Sequence, residues 1–220
     1  MTLESVLHQY GLEAEDQNLT LIPGAPEHEV RVLRVVAAPF AHMVAAAASV
    51  GVELVPVSGF RSVERQTRIW SRKVKASIQQ FGDRQSAVCQ VMEYSAPPGW
   101  SRHHWGTDID LVGGSLREKP RLEAEDWHRG GSCSEAAEWL SNHAAAFGFV
   151  RPYDEHRRGF MAEPWHWSFL PTASSYLPLM RRIDWKCAFD GEDFEAADLL
   201  ANQVGRLFPD FVLGINPILL

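Results

Sequence analysis

The sequence predicts an α+β domain, a small and mainly antiparallel sheet flanked by helices. Two observations predict it. The strand candidates are few and short, and the segments joining them are irregular, unlike the even βαβ crossovers of a parallel sheet. Helix candidates with legible ends lie before, between and after those strands.

Residues 1–28 are mixed and close on the turn-rich Pro23-Gly24-Ala25-Pro26, which marks an N-terminal extension. Residues 30–50 read as a helix: Val30, Leu33, Val36, Phe40, Met43 and Ala47 recur at three- and four-residue steps, and Gly51 sits where a C-terminal cap belongs. Residues 52–57 are short and β-branched, a strand that Pro56 assigns to a sheet edge. A second helix is predicted over 62–80, capped by Ser62 and closed by Phe81-Gly82. After a loop at 95–99, residues 106–112 alternate Thr107, Ile109 and Leu111 against Asp108, Asp110 and Val112, as a strand does. Residues 113–132 form a polar insertion that includes Trp127-His128-Arg129-Gly130-Gly131. A helix follows over 134–147, with Ser132 or Ser134 as cap and Gly148 as stop. Strands are expected at 149–153 and 165–170, and helices at 174–182 and 193–207. The organisation expected is an extension (1–28), a central domain (29–170) and a C-terminal helical extension (171–220) packed on that domain. The apolar tail from Phe208 to Leu220 suits packing on the domain or on a second subunit.

The chain has 220 residues with 45% apolar and 22% charged side chains, globular proportions that exclude a disordered or fibrous chain. Its 21 basic against 28 acidic residues give a net charge of −7, which repels phosphate backbones and argues against nucleic-acid binding. No apolar run approaches the roughly 18 residues of a membrane span. Met1-Thr2-Leu3-Glu4-Ser5 lacks a basic start leading into an apolar stretch, so no export signal is visible. The compartment expected is cytoplasmic for the sequence as given, and the periplasm or cell wall if a signal was removed or another route exports the chain. Cys89, Cys133 and Cys187 are far apart with no CxxC pair, so buried reduced thiols are expected.

Absent motifs narrow the chemistry. The sequence has no G-x-S-x-G or S-x-x-K serine site, no G-x-G-x-x-G or G-x-x-x-x-G-K phosphate loop, and no H-E-x-x-H helix. Against a background of nine histidines, two segments stand out. Ser101-Arg102-His103-His104-Trp105-Gly106-Thr107-Asp108-Ile109-Asp110 packs two His and two Asp at a loop-to-strand junction. His103 and Asp110 reach one metal only if the chain bends between them, and Gly106 is where a bend is easiest. The second segment is Glu163-Pro164-Trp165-His166-Trp167, where Pro164 argues against a helix interior. Together they supply His, Asp and His as donors of the catalytic zinc type, plus a spare carboxylate. On residue types alone, a His/Asp-rich loop is also readable as a solvated turn.

Ser101-x-His103-x-x-Gly106-x-Asp108-x-Asp110, then Glu163-Pro-Trp-His166, resembles the LAS metallopeptidases, whose D-alanyl-D-alanine carboxypeptidase branch shows S-x-H-x-x-G-x-A-x-D and E-x-x-H. Upstream, Ser58-Gly59-Phe60-Arg61-Ser62 with Gln66 is similar to the S-G-[YF]-R-S…Q element of that branch. The resemblance covers roughly residues 30–170 and implies the hedgehog/D-Ala-D-Ala peptidase type of fold. It also implies one zinc ion held by His103, Asp110 and His166, Glu163 as general base and acid, and Arg61 as donor to the substrate carbonyl oxygen. Ser101 and Gln66 would bind the peptide or its terminal carboxylate. Asp108 stands where the branch usually has Ala; it shares a strand face with Asp110 and is expected to orient a ligand histidine or touch the substrate amine. His104 should project elsewhere, as a structural or rim residue. Among Trp100, Trp105, Trp165 and Trp167, core packing is the general reading, and Trp165 is the candidate for a substrate wall.

The activity implied is removal of a terminal D-alanine from peptidoglycan stem peptides or precursors, with a stem peptide or muropeptide as the partner. The alternatives on the same polymer are an L,D-carboxypeptidase, a dipeptidase or an endolysin-type L-Ala–D-Glu endopeptidase. A rival of another class is a non-catalytic, zinc-containing binding module, which would have no need of an unligated Glu163 or of Arg61.

Overall fold

The computed structural model describes residues 2–24 and 29–220. The second half of the Pro23–Pro26 turn and the boundary expected at residue 28 lie outside the described residues. The chain opens with α1 (Leu3–Gln9), where the Thr2 side chain accepts from the Ser5 amide and Leu3, Val6 and Leu7 are buried. Strand β1 (Leu19–Ile22) then pairs antiparallel with β2 (Val30–Leu33). Residues 30–33 were expected to begin a helix, and here the expectation is corrected. Their apolar spacing fits both periods, and pairing with β1 decides for the strand, which buries Val30 and Val32. The helix itself, α2, runs over Arg34–Ala48.

The main sheet contains β3 (Leu54–Ser58), β4 (Asp108–Gly113), β5 (Phe149–Val150) and β6 (His166–Phe169). Their order is β3-β4-β6-β5 and every pairing is antiparallel, so Pro56 sits on an edge strand as its missing N–H requires. Two features of register build the site. Between β4 and β6, Asp108 lies opposite Ser168 and Asp110 opposite His166. Between β3 and β4 the register slips between Pro56 and Ser58, a bulge that brings Ser58 opposite Asp110.

Between the strands run α3 (Val63–Phe81) and α4 (Arg84–Met92). The Ser62 side chain caps α3, and Gly82 closes it with φ +82°. The sequence reading missed α4, although Asp83 caps it and Ala87, Val88, Val91 and Met92 form its buried stripe. Helix α5 (Ser134–His143) continues as a 3-10 turn to Gly148. Its N-cap is Cys133, with no side-chain hydrogen bond, so neither Ser132 nor Ser134 takes the expected role. Where two C-terminal helices were expected there are four, α6 (Leu170–Ala173), α7 (Tyr176–Met180), α8 (Trp185–Phe189) and α9 (Ala197–Phe211). Asp184, which accepts from the Cys187 amide, starts α8 as a separate unit.

Two apolar clusters flank the site. One lies on the outer face of the sheet, where Ile109, Leu111 and Trp167 meet Phe40 and Met43 of α2 and Leu140 of α5. The other gathers α1, α3, α4 and the C-terminal helices around Leu7, Trp70, Met92, Phe189 and Leu200. The tail joins this second cluster through Val212, Ile215 and Leu219. All three cysteines are free, but only Cys133 is buried. Cys89 and Cys187 fall off the buried stripes of α4 and α8, which corrects the expectation of burial. No helix among the described residues is long and apolar enough to cross a membrane.

Candidate active site

The site lies on the inner face of the sheet, where alternation on β4 and β6 turns Asp108, Asp110, His166 and Ser168 to one side. His103 arrives from the 3-10 turn Arg102–Trp105, which Gly106 ends in the left-handed region at φ +70°. That turn supplies the bend the sequence requires. One donor atom each from His103, Asp110 and His166 lies within 4.8 Å of the others, and all three residues are buried.

Hydrogen bonds fix which atoms face one another. His103 Nδ1–H donates to the Gly59 carbonyl at 2.8 Å, leaving Nε2 toward Asp110 Oδ2 at 3.3 Å. Gly59 is required there, because a Cβ would stand 2.3 Å from the Arg31 carbonyl oxygen. His166 Nε2–H donates to Asp108 Oδ1 at 2.9 Å, leaving Nδ1 3.4 Å from Asp110 Oδ1 and 3.1 Å from Glu163 Oε2. Asp110 Oδ1 is buried with no hydrogen-bond partner.

This donor set fits a divalent cation. Each imidazole has one nitrogen tied to the protein and one turned inward, and the carboxylate between them keeps an unused oxygen. The electrostatics agree. Burial alone would depress His166, yet its hydrogen bonds to Asp108 and Glu163 raise its pKa to about 10. Burial opposes ionisation of Asp110 as well, but His103, His166 and Arg61 hold its pKa down to about 2. The buried carboxylates thus draw positive charge to the cluster, and a bound cation would take the place of the His166 proton.

Glu163 stands beside the donors. It is 7% exposed, and burial raises its pKa above the usual carboxylate range. Arg61 donates from Nη1 to Gln66 Oε1 at 2.8 Å and from Nη2 to Ser58 Oγ at 3.1 Å, with Nη2 3.9 Å from Asp110. The bulge in β3 thus supplies the hydroxyl that steadies this guanidinium. A cavity of about 470 Å³ opens over these groups, lined among others by Arg61, Ser101, Glu163, Trp165 and His166.

Two residues expected at the substrate lie elsewhere. Gln66 does not line the cavity, since its amide is used at both ends, accepting from Arg61 and donating to the Ala96 carbonyl at 2.6 Å. Asp108 is fully buried behind His166, where it accepts from Arg102 Nε at 2.8 Å, Thr107 Oγ1 at 2.5 Å and Ser168 Oγ at 3.1 Å. Of its two expected contacts, the one with His166 is present.

Sequence reasoning missed Arg102, Tyr153 and Lys73. Arg102 also donates to Ser168 Oγ at 2.7 Å and lies 4.4 Å over the Trp105 ring. Tyr153 packs edge-on against His166 at 5.1 Å. A basic residue at 102 and an acidic one at 108, flanking a ligand histidine, was the available signal for the first of these.

His104 has a structural role. It is fully buried, donates from Nδ1 to the Arg61 carbonyl at 2.6 Å and accepts at Nε2 from the Gly99 amide at 3.1 Å. Burial drives its pKa from 6.5 down to about 3, so the folded ring stays neutral while the unfolded chain takes up a proton. Its contribution to stability is complete above about pH 6.5 and is lost as pH falls toward about 3, by up to about 1.4 kcal/mol per pH unit. Thermal melts of His104→Gln are expected to lose Tm less steeply than the parent between those pH values. Parallel pH profiles would contradict a buried neutral ring.

The sequence profile of the VanY family, described as D-alanyl-D-alanine carboxypeptidase, matches residues 17–172. An uncharacterized protein of Haemophilus influenzae is 30% identical over 122 residues, 51% of this chain and 90% of that one. A D-alanyl-D-alanine carboxypeptidase of Enterococcus faecalis is 28% identical over 128 residues, 57% of this chain and 43% of its own length, so the match spans less than half of that relative. Among solved structures, a VanY D,D-pentapeptidase in complex with Zn(II) superposes with a TM-score of 0.53 at 20% identity, covering 88% of this chain and 90% of that one. The LdcB LD-carboxypeptidase gives 0.56 at 22% identity, covering 77% and 75%. These likenesses establish a shared fold.

Proposed function

The chain belongs to the VanY family of D-alanyl-D-alanine carboxypeptidases, and from that premise we propose that it is a zinc-dependent peptidase that removes a terminal D-alanine from peptidoglycan stem peptides. The observation that carries this reading is the convergence of His103, Asp110 and His166 beside a buried glutamate that stands outside the donor set. Those three residues would hold the ion. A zinc ion held there supplies Lewis acidity, polarising the peptide carbonyl and acidifying water.

The protein's own groups do the rest. Glu163, with its pKa raised by burial, takes the proton from the attacking water and hands it to the departing amine. Arg61 donates to the carbonyl oxygen as negative charge develops, its guanidinium held in advance by Ser58 and Gln66. Ser101 and Trp165 line the cavity and contact the peptide. Asp108 orients His166, and Gln66 serves through Arg61.

Digestion of defined muropeptides followed by mass spectrometry tests the reading. Loss of one alanine from a D-Ala-D-Ala-terminated pentapeptide, abolished by a chelator and restored by zinc, is the expected result. Trimming of tetrapeptides alone would reassign the activity to an L,D-carboxypeptidase, and cleavage between L-Ala and D-Glu to an endopeptidase.

A further inference from the structure

A peptidase that works at a chain end must recognise a free carboxylate, and both arginines lining this cavity are already committed. Arg61 is held by Gln66 and Ser58 and lies beside Asp110. Arg102 is tied to Asp108 and Ser168. The Gln66 amide is used at both ends. Lys73 is the remaining cation lining the cavity. It lies on α3 two turns beyond Gln66 and one turn beyond Ile69, which lines the same wall. No carboxylate among the described residues comes within 4.0 Å of its ammonium. Partial burial and the neighbouring Arg61 lower its pKa, as expected for a cation without a counter-ion.

The cavity lining also carries negative charge. Glu123 and Glu125, from the insertion between β4 and α5, line the cavity and also have no ion-pair partner among the described residues. A peptide carboxylate is repelled by those two glutamates and attracted by Lys73, while an ammonium group on the peptide is attracted by the glutamates.

The geometry points to Lys73 as the residue that binds the free terminal carboxylate of the substrate and so directs cleavage to the chain end. This rests on the peptidase reading above. Because Lys73 keeps much of its surface in solvent, its expected effect is at the low end for a hydrogen bond to a charged group, about tenfold in affinity.

The test uses the zinc-loaded full chain, a D-Ala-D-Ala-terminated pentapeptide and the same peptide with a C-terminal amide. Lys73→Met is expected to raise KM for the acid about tenfold with kcat within about twofold, and Lys73→Arg to restore most of the loss. Kinetics on the amide should be the same in Lys73→Met and the parent. An unchanged KM for the acid, or equal losses on acid and amide, would overturn the assignment while leaving the peptidase reading intact. If the parent hydrolyses neither peptide, the peptidase reading fails. Calorimetric titration with the two peptides then decides Lys73 separately: tighter binding of the acid, lost in Lys73→Met, supports it, and equal affinities overturn it.

Discussion

Glu163→Ala is expected to keep its zinc and lose hydrolysis by roughly two to four orders of magnitude, the range for removing a general acid–base group. The two halves of that result have separate causes. The metal stays because its donors come from His103, Asp110 and His166, whose remaining polar atoms are fixed by Gly59 and Asp108 and do not depend on Glu163. Turnover falls because neither β4 carboxylate can replace the lost one: Asp110 would be a donor and Asp108 is sealed behind His166. Zinc content by elemental analysis and kcat on the pentapeptide are the two measurements. Unchanged turnover would remove Glu163 from the mechanism, and loss of metal would make it a donor.

His166→Ala is expected to have the largest effect on metal content. Losing a hydrogen-bond partner of a ligand commonly costs 10- to 100-fold in affinity, and losing the ligand itself should exceed that. The substitution also strips Asp108 of one of its hydrogen bonds in a fully buried position, so some loss of Tm is expected as well. Competition against a chelator of known affinity measures the first effect and calorimetry the second. Full zinc occupancy in this variant would rule out the donor set. His104→Gln provides the adjacent control, because its ring faces Arg61 and Gly99 and should leave metal content unchanged.

The convergence of the candidate donors was legible in the sequence because their spacing records a local bend and a strand. Gly106 marks the turn, and Asp108 and Asp110 mark one face of β4. Helix α3 was legible for a similar reason, with Ser62 and Gly82 signalling its ends locally. What escaped depended on distant partners. Residues 30–33 became a strand because residues 19–22 were there to pair with them, and no window around residue 30 contains that fact. Gln66 looked like a substrate contact because its motif says which residues gather, not which way an amide points once Ala96 offers a carbonyl. Lys73 carries no motif and becomes noticeable only once the other cations at the cavity are seen to be engaged.

The Arg102–Asp108 pair has a consequence for the history of this site. Its members are 4% and 0% exposed, so replacing either alone strands the other's charge in the interior, at a cost of about 3–5 kcal/mol. Replacing Asp108 by alanine is therefore strongly disfavoured while arginine occupies position 102. The two should be inherited as a linked pair, and homologues that carry one without the other should be rare, which makes the pair a lineage marker readable from sequences alone.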